Sequence, residues 1–442
     1  MVFRPLLDVR VNFHPVGHGL FATMDFIFYY FLEMPCHIIF DCGASDVALL
    51  EKRITFYLGG RALPRIDLLA LSHLHYDHVS GLPYLLSRAQ VDTVVLPYIS
   101  PLEKLLIAAA QPPMPPWYYS FLASPATFLA SFGVRNIYFL GGGGEGEAPP
   151  LEPGPPSLPP EARELASKLR GKIMWHGARK MPSEDVHEPD KDERSYLREK
   201  FDTNVEFVRA EGYATFTYGF VGHLILIFFV KPVDKQLLDR FHRCLKSMNL
   251  IVDANALKTS SLLEILMDIS KLRKLKKCYR CISRDINLTS LSLGITTAWS
   301  SEYTKCYMVS HNLRALLPIL FLPSLRRYTW PFCILLTGDT RLDRSDVRRE
   351  FMKRYRIIIE NMTKENSAIP LIFQAPHHGS IRGFNRQARI DFTNRWGAFL
   401  VSVVSYKWPR RISAFEELRR ASVNLELCHQ ERPVSILISV FE

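Results

Sequence analysis

The sequence predicts an α/β protein, and three observations predict it. Short runs rich in β-branched and aromatic residues, bounded by Gly or Pro, recur along the chain. Runs with helical spacing fall between them. Clusters of His and Asp come directly after the apolar runs, at the ends of expected strands, where loops converge on ligands in sheets of this kind.

Taken in order, "VRVNFHPV", "FATMDFIFYYF" and "CHIIFDCG" read as strands. "IDLLALSH" is a short apolar run, as expected of a buried strand. "VSGLPYLLSRA" has helical spacing and "VDTVVLPY" is a further strand. Ser124 and Pro125 open a helix in the N-cap and first-turn arrangement, and "VRNIYFL" returns as a strand. The composition then breaks: "GGGGEGEAPPLEPGPPSLPPE", from Gly141 to Glu161, cannot build a core. "VEFVRA", "YATFTYGF" and "HLILIFFV" resume as strands.

From about Asp234 to Tyr279 two helices are expected, with Leu262, Ile265, Leu266, Ile269 and Leu272 on one face. The stretch "KLRKLKKCYRCISR" that follows carries seven basic residues and no acid. It reads as a solvated helix face or as a contact for nucleic acid or a protein partner. "TSLSLGIT", "FCILLTGD", "IPLIFQAP", "AFLVSVVS" and "VSILISV" are strands, and "SDVRREFMKRYR" is a helix. Ser413 and Glu416 form a capping box for "AFEELRRA".

The 442 residues carry a formal charge of +11, which suits acidic partners, nucleic acid among them, as well as a plain basic surface. The eight cysteines do not read as a disulfide framework. Cys278 and Cys281 form one CxxC, and no second pair completes a four-thiolate zinc site. The opening "MVFRPLLDVRVNF" lacks the apolar block of a signal peptide, and runs such as Leu224–Val230 are too short to span a bilayer. The expectation is a soluble cytoplasmic protein with no membrane partner.

The chemistry concentrates in "SHLHYDHVSGL". His73 and His75 are two apart, so in extended chain both rings point the same way and can reach one ion. Asp77 and His78 follow as the chain turns into a helix, within reach of a second, adjacent ion. Imidazole nitrogen and carboxylate oxygen suit Zn²⁺, with Mn²⁺ or Fe as alternatives. Asp41, Asp339 and the pair His377–His378 also follow apolar strands, after "HIIF", "CILLTG" and "LIFQAP".

This motif resembles the S-H-x-H-x-D-H-x-x-G-L signature of the metallo-β-lactamase-fold hydrolases. "PVGHGLFAT", "IIFDCG", "NLTSLSLGI", "LLTGD" and "APHHGS" occur in the order seen in one branch, that of the hydrolase domain of the bacterial DNA-uptake competence channel. There is also a likeness to longer bacterial members of that branch encoded beside antiphage defence genes. The resemblance implies a four-layer αββα sandwich, with residues 1–140 as its N-terminal half and 285–442 as its C-terminal half. It does not account for the middle, where composition and periodicity give a flexible linker or insertion at 141–200 and strands plus a helical insertion at 201–284. It implies that His73 and His75 bind a first Zn²⁺ and that Asp77 and His78 bind a second. Asp339 would bridge, one of His377 and His378 would complete the second site, and Asp41 would orient ligands from behind. Gly338 and Gly379 would allow tight backbone at the two later loops.

The chain departs from the branch in three places. His176, His187 and His223 are the candidates for a further histidine, and His223 reads as a core residue. His18 stands where the branch often has Gln. Trp408 stands where a histidine often precedes the proline of the strand after "HHGS".

A site of this kind hydrolyses an ester, amide or phosphodiester through a metal-activated water, with Asp77 orienting that water. Between Ser380 and Arg411 there are seven Lys or Arg and one Asp. Arg382, Arg386 and Arg389 could meet a substrate phosphate close to the metals, which favours a phosphodiesterase or nuclease. The rivals are a hydrolase of small esters, lactones or thioesters, and a metal-bearing, non-catalytic partner in a multi-protein defence system.

Overall fold

A computed structural model describes residues 5–29, 35–59, 64–142, 173–218, 222–251, 257–282, 289–297, 305–310, 333–362, 371–374, 399–403, 425–428 and 433–441, with 385, 387 and 388, and without 183, 184 and 187. Seventeen strands lie in it. They are β1 (Pro5–Phe13), β2 (Gly19–Phe28), β3 (Cys36–Ala44), β4 (Arg65–Ala70), β5 (Gln90–Pro97), β6 (Asn136–Gly141), β7 (Ile173–His176), β8 (Asn204–Arg209) and β9 (Tyr213–Tyr218). They continue with β10 (Gly222–Lys231), β11 (Ser290–Thr297), β12 (Lys305–Ser310), β13 (Cys333–Leu336), β14 (Leu371–Gln374), β15 (Phe399–Val403), β16 (Leu425–Cys428) and β17 (Val434–Phe441).

Nine strands form one sheet in the order β12-β17-β1-β2-β3-β4-β5-β6-β8, and eight form a second in the order β16-β15-β14-β13-β11-β10-β9-β7. Within each sheet a parallel block adjoins an antiparallel one: β3 through β6 and β8 pair in parallel, while β1, β2 and β17 pair antiparallel. The first sheet thus takes β8, β12 and β17 from the later chain as well as the strands of residues 1–140.

The inner strands read as unbroken apolar runs because both their faces are covered. Neighbouring residues divide between two cores. Ile38, Leu68 and Val95 face the second sheet, where they join Leu226, Phe228, Leu293 and Ile334. Ile39, Leu69 and Val94 face a helical layer with Leu106, Tyr118, Phe241 and Leu275. A helix at Ser345–Met362 covers the far side of the second sheet, with Phe351 edge-on to Phe229 and the Tyr355 hydroxyl donating to the Ile227 carbonyl at 3.3 Å. The order of layers is therefore helix, sheet, sheet, helix, as expected.

Several elements differ from the sequence reading. Helices at Val47–Leu58, Pro101–Ala110 and Pro116–Ala123 join the layers without having been expected. Their starts carry ordinary signals: Asp46 caps the first, and Ser100 with Glu103 forms a capping box on the second, with Pro101 at its first position. The segment 141–200, expected as a flexible linker or insertion, carries regular structure in its C-terminal part. There β7 pairs with β9, and a helix at Glu188–Phe201 buries Leu197.

The helical insertion has three helices rather than two, at Lys235–Ser247, Thr259–Met267 and Ile269–Ile282. Asp268 separates the last two, its carboxylate accepting from the Ser270 and Lys271 amides at 2.7 and 3.1 Å. That break resets the helical phase. Leu262, Ile265, Leu266 and Leu272 are buried as expected, but Ile269 is 69% exposed. Cys278 forms a disulfide with Cys244, a pairing the sequence reading did not foresee, while Cys281 is exposed and free. No helix among the described residues is long and apolar enough to cross a membrane. Ser413, Glu416 and "AFEELRRA" lie outside the described residues.

His14, the residue directly after β1, is buried, stacked on Phe21 and within 3.0 Å of Thr23 Oγ1. Burial, aided by Arg53 and opposed by Asp25, lowers its pKa to about 3. The unfolded chain therefore takes up a proton near pH 6.5 that the folded chain refuses until about pH 3. Stability at this residue is complete above pH 6.5 and is lost as pH falls toward 3. His14→Gln should flatten the pH dependence of unfolding free energy between pH 6 and 4 by up to about 1.4 kcal/mol per pH unit. Urea titrations of both proteins across that range measure it.

Candidate metal centre

The site begins at a backbone irregularity. Asp41 takes a left-handed conformation (φ +56°) where the β2–β3 register shifts, which turns its carboxylate inward. It is fully buried and accepts three hydrogen bonds, from the Ser72 amide at 2.6 Å, the Ser72 hydroxyl at 2.6 Å and His78 Nδ1 at 2.8 Å. The hydroxyl proton of Ser72 is committed to Asp41, so Ser72 Oγ accepts from His73 Nδ1, 2.9 Å away. Both imidazoles are thereby turned so that Nε2 faces the cluster.

The polypeptide around "SHLHYDH" is held from every side. The Leu71 amide continues the sheet by bonding Val95 O at 2.8 Å, and His73 to His75 then lead into a short helix at Tyr76–Val79. Gly43 lies against the His78 backbone, and a Cβ there would collide with it. Tyr118 donates to the Leu74 carbonyl at 2.7 Å, and the Gln111 side-chain oxygen accepts from the Tyr76 amide at 3.0 Å. The helices unrecognised in the sequence are thus the wall behind the motif.

The second sheet supplies Asp339. Gly338 has φ +52° and lies against the Ser72 side chain, so that position needs glycine twice over. Gln374 accepts from the Thr337 and Gly338 amides at 2.8 and 3.1 Å and fixes the loop. The Leu291 amide of β11 bonds Ser72 O at 2.7 Å, tying the two sheets together at the motif.

Two overlapping groups result, His73–His78–Asp339 and His73–His75–Asp77, each with ligand-type atoms within 4.8 Å of one another. His73 Nε2 is 3.7 Å from Asp339 Oδ2, and His78 Nε2 is 3.9 Å from both Asp339 Oδ1 and Asp77 Oδ2. Ligands about 2.0–2.2 Å from one ion stand about 3.5 Å apart, so these spacings suit a cation. His73 Nε2 is buried and has no hydrogen-bond partner among the described residues, a state an ion would relieve.

The electrostatics agree. Burial opposes charge on His78, but the Asp41 and Asp77 carboxylates outweigh it and raise its pKa to about 10. Asp77 is pushed up by burial, yet His78, His18 and His75 hold it well below the usual carboxylate range. The cluster favours an anionic Asp77 and positive charge at its centre. Burial and the His78 charge lower His73 well below the imidazole range, which leaves its ring neutral and ready to ligate.

His73, His75, Asp77, His78, Asp339 and Asp41, the candidates the sequence offers, all meet here. His18, in sequence only a departure from the family pattern, places its Nε2 3.1 Å from Asp77 Oδ2. Ser72, Gln374 and Gln111 went unrecognised. Ser72 sits inside the motif, so its adjacency to His73 was an available signal. The other two act through distances that no local pattern encodes. His176 is engaged by Thr215 at 2.9 Å and stacks on Tyr213, outside both groups. His187, His377, His378, Gly379, Arg382, Arg386, Arg389, Trp408 and the side chain of His223 lie outside the described residues.

A helix–sheet–sheet–helix sandwich with a His/Asp cluster at its strand ends is the architecture of a metallo-β-lactamase fold. Residues 26–164 match the family model described as the metallo-beta-lactamase superfamily. That span includes Asp41 and the His73–His78 motif, and it ends before Asp339. Proteins of this superfamily are metal-dependent hydrolases in general, and the His/Asp cluster here has the donors and spacing to hold a metal ion. No curated protein matches the chain.

Asp41→Asn keeps a residue that tolerates positive φ but removes the charge facing His78. Metal affinity should fall about 10- to 100-fold with the fold retained, the range typical for groups that orient metal ligands. Competition with a chromophoric chelator, alongside circular dichroism, reads both.

Proposed function

We propose that this protein is a phosphodiesterase, acting on nucleic acid through a metal-activated water. The observation that carries the hydrolase reading is the pair of His/Asp groups that share His73. In this reading His73 and His75 would hold one divalent ion, and Asp77 and His78, whose Oδ2 and Nε2 lie 3.9 Å apart, a second, with Asp77 also within reach of the first. Asp339 would be shared between them, and one of His377 and His378 would complete the second site. Zn²⁺ suits this donor set best, with Mn²⁺ or Fe next. When bound, such ions acidify water and polarise the bond under attack.

The chain's own residues supply the rest. Asp41 and Ser72 keep the Nε2 atoms of His73 and His78 directed at the ions. His18 holds Asp77, and the Asp77 carboxylate orients the attacking water by accepting its hydrogen bond. The helices behind "SHLHYDH" keep this geometry rigid. The phosphodiester preference is supported by the net charge of +11 and by the seven cations between Ser380 and Arg411, with Arg382, Arg386 and Arg389 nearest the "HHGS" motif in sequence.

Purified protein and Asp77→Ala, each analysed for bound metal, would be assayed on single- and double-stranded DNA, RNA, bis(p-nitrophenyl) phosphate, a lactone and a thioester. The expected result is metal-dependent cleavage of phosphodiesters that Asp77→Ala lowers by about 100-fold or more. Cleavage of the lactone or thioester alone would replace the substrate class. Absence of bound metal would overturn the site itself.

A further inference from the structure

The helix Ile269–Ile282 is a second candidate site, away from the His/Asp cluster. It contains Lys271, Arg273, Lys274, Lys276, Lys277 and Arg280 and no acidic residue. Leu272, Leu275, Cys278 and Ile282 are buried. Successive residues turn by about 100°, which puts Arg273, Lys277 and Arg280 on one stripe directly opposite that buried face. All three are exposed, as is Lys274 beside them. Lys271 pairs with Glu264, but none of the others makes an ion pair among the described residues. Burial and the neighbouring Arg280 lower the Lys276 pKa, so like charges crowd here without local compensation.

Such crowding costs folding energy unless an anion covers it, and an ordinary solvated helix intersperses both signs. The spacing fits one kind of anion. Arg273 to Arg280 spans about 10 Å of helix axis, enough to face about three successive phosphates of one nucleic-acid strand. The placement fits too. The basic helix packs on the helix Pro101–Ala110, and the residue that follows this helix, Gln111, holds the Tyr76 amide beside the metal cluster. After the basic helix the chain returns to β11, where Leu291 bonds Ser72. The disulfide from Cys278 to Cys244 pins it to the helix Lys235–Ser247, which adds exposed Arg240, Arg243 and Lys246.

We propose that the exposed face of Ile269–Ile282 is a nucleic-acid-binding surface, gripping the phosphate backbone one helix away from the hydrolytic cluster. It deepens the phosphodiesterase reading and rests on it for the fate of the bound strand. Binding itself needs no metal and carries no base specificity, because every contact on this face is a cation to a phosphate.

The test uses the full chain stripped of metal with chelator, and fluorescein-labelled 30-base-pair DNA of two unrelated sequences, read by anisotropy from low to moderate salt. The variant is Arg273→Gln/Lys277→Gln/Arg280→Gln, and the control is Arg349→Gln/Lys353→Gln on the helix Ser345–Met362. The expected result is equal binding of both DNAs. In the triple variant, affinity should fall on the order of ten-fold or more, and the slope of log affinity against log salt should lessen by about 2 to 3. The control should bind like the parent. Unchanged melting temperature and unchanged metal-loaded hydrolysis of bis(p-nitrophenyl) phosphate would show that fold and cluster are intact. No DNA binding by the parent, equal losses in both variants, or binding only to vesicles containing phosphatidylserine overturns the proposal. Failure of the small phosphodiester assay with DNA binding preserved would instead overturn the phosphodiesterase reading and leave this surface standing.

Discussion

Everything at the centre of this protein depends on one buried carboxylate. Asp41 accepts from the Ser72 amide, the Ser72 hydroxyl and His78 Nδ1, and through Ser72 it also sets the His73 ring. A buried carboxylate is costly unless its oxygens are satisfied, and three donors satisfy this one. Its unusual backbone conformation is stable only because β2, β3 and the motif helix over-determine it. One residue therefore converts the shape of a sheet into the orientation of two imidazoles.

The same arrangement explains why two sheets are required. The first sheet carries Asp41 and the His73–His78 motif, while the second carries Asp339 on a loop held by Gln374. The sheets meet at Ser72, whose carbonyl takes the Leu291 amide and whose side chain rests on Gly338. Any shift of one sheet against the other would separate His73 from Asp339. The apolar packing between the sheets, from Val9 and Phe40 to Phe228 and Ile334, is thus part of the metal-binding apparatus.

Outside the sandwich, the helical insertion has a separate logic. Its buried face is tied to the helix that backs the motif, and its exposed face gathers uncompensated cations. One element thus combines structural support for the cluster with a polyelectrolyte surface.

Local pattern was enough to identify the α/β class and the His and Asp residues that follow apolar strands, while the layers came from the family resemblance. Strand alternation, the H-x-H spacing and polar residues after apolar runs are all encoded within a few positions. Pattern did not reveal the break at Asp268 that exposes Ile269, because a continued period looks the same whether or not the helix restarts. Nor did it pair Cys244 with Cys278, since a disulfide depends on two helices meeting. The roles of His18, Ser72, Gln374 and Gln111 were decided by tertiary structure alone. Each acts through a hydrogen bond or ion contact that exists only once distant segments are packed. The sequence by itself determined which donors are present. The meeting of the two sheets decided which of them share an ion-sized space, because that distance is set by packing between segments some 260 residues apart.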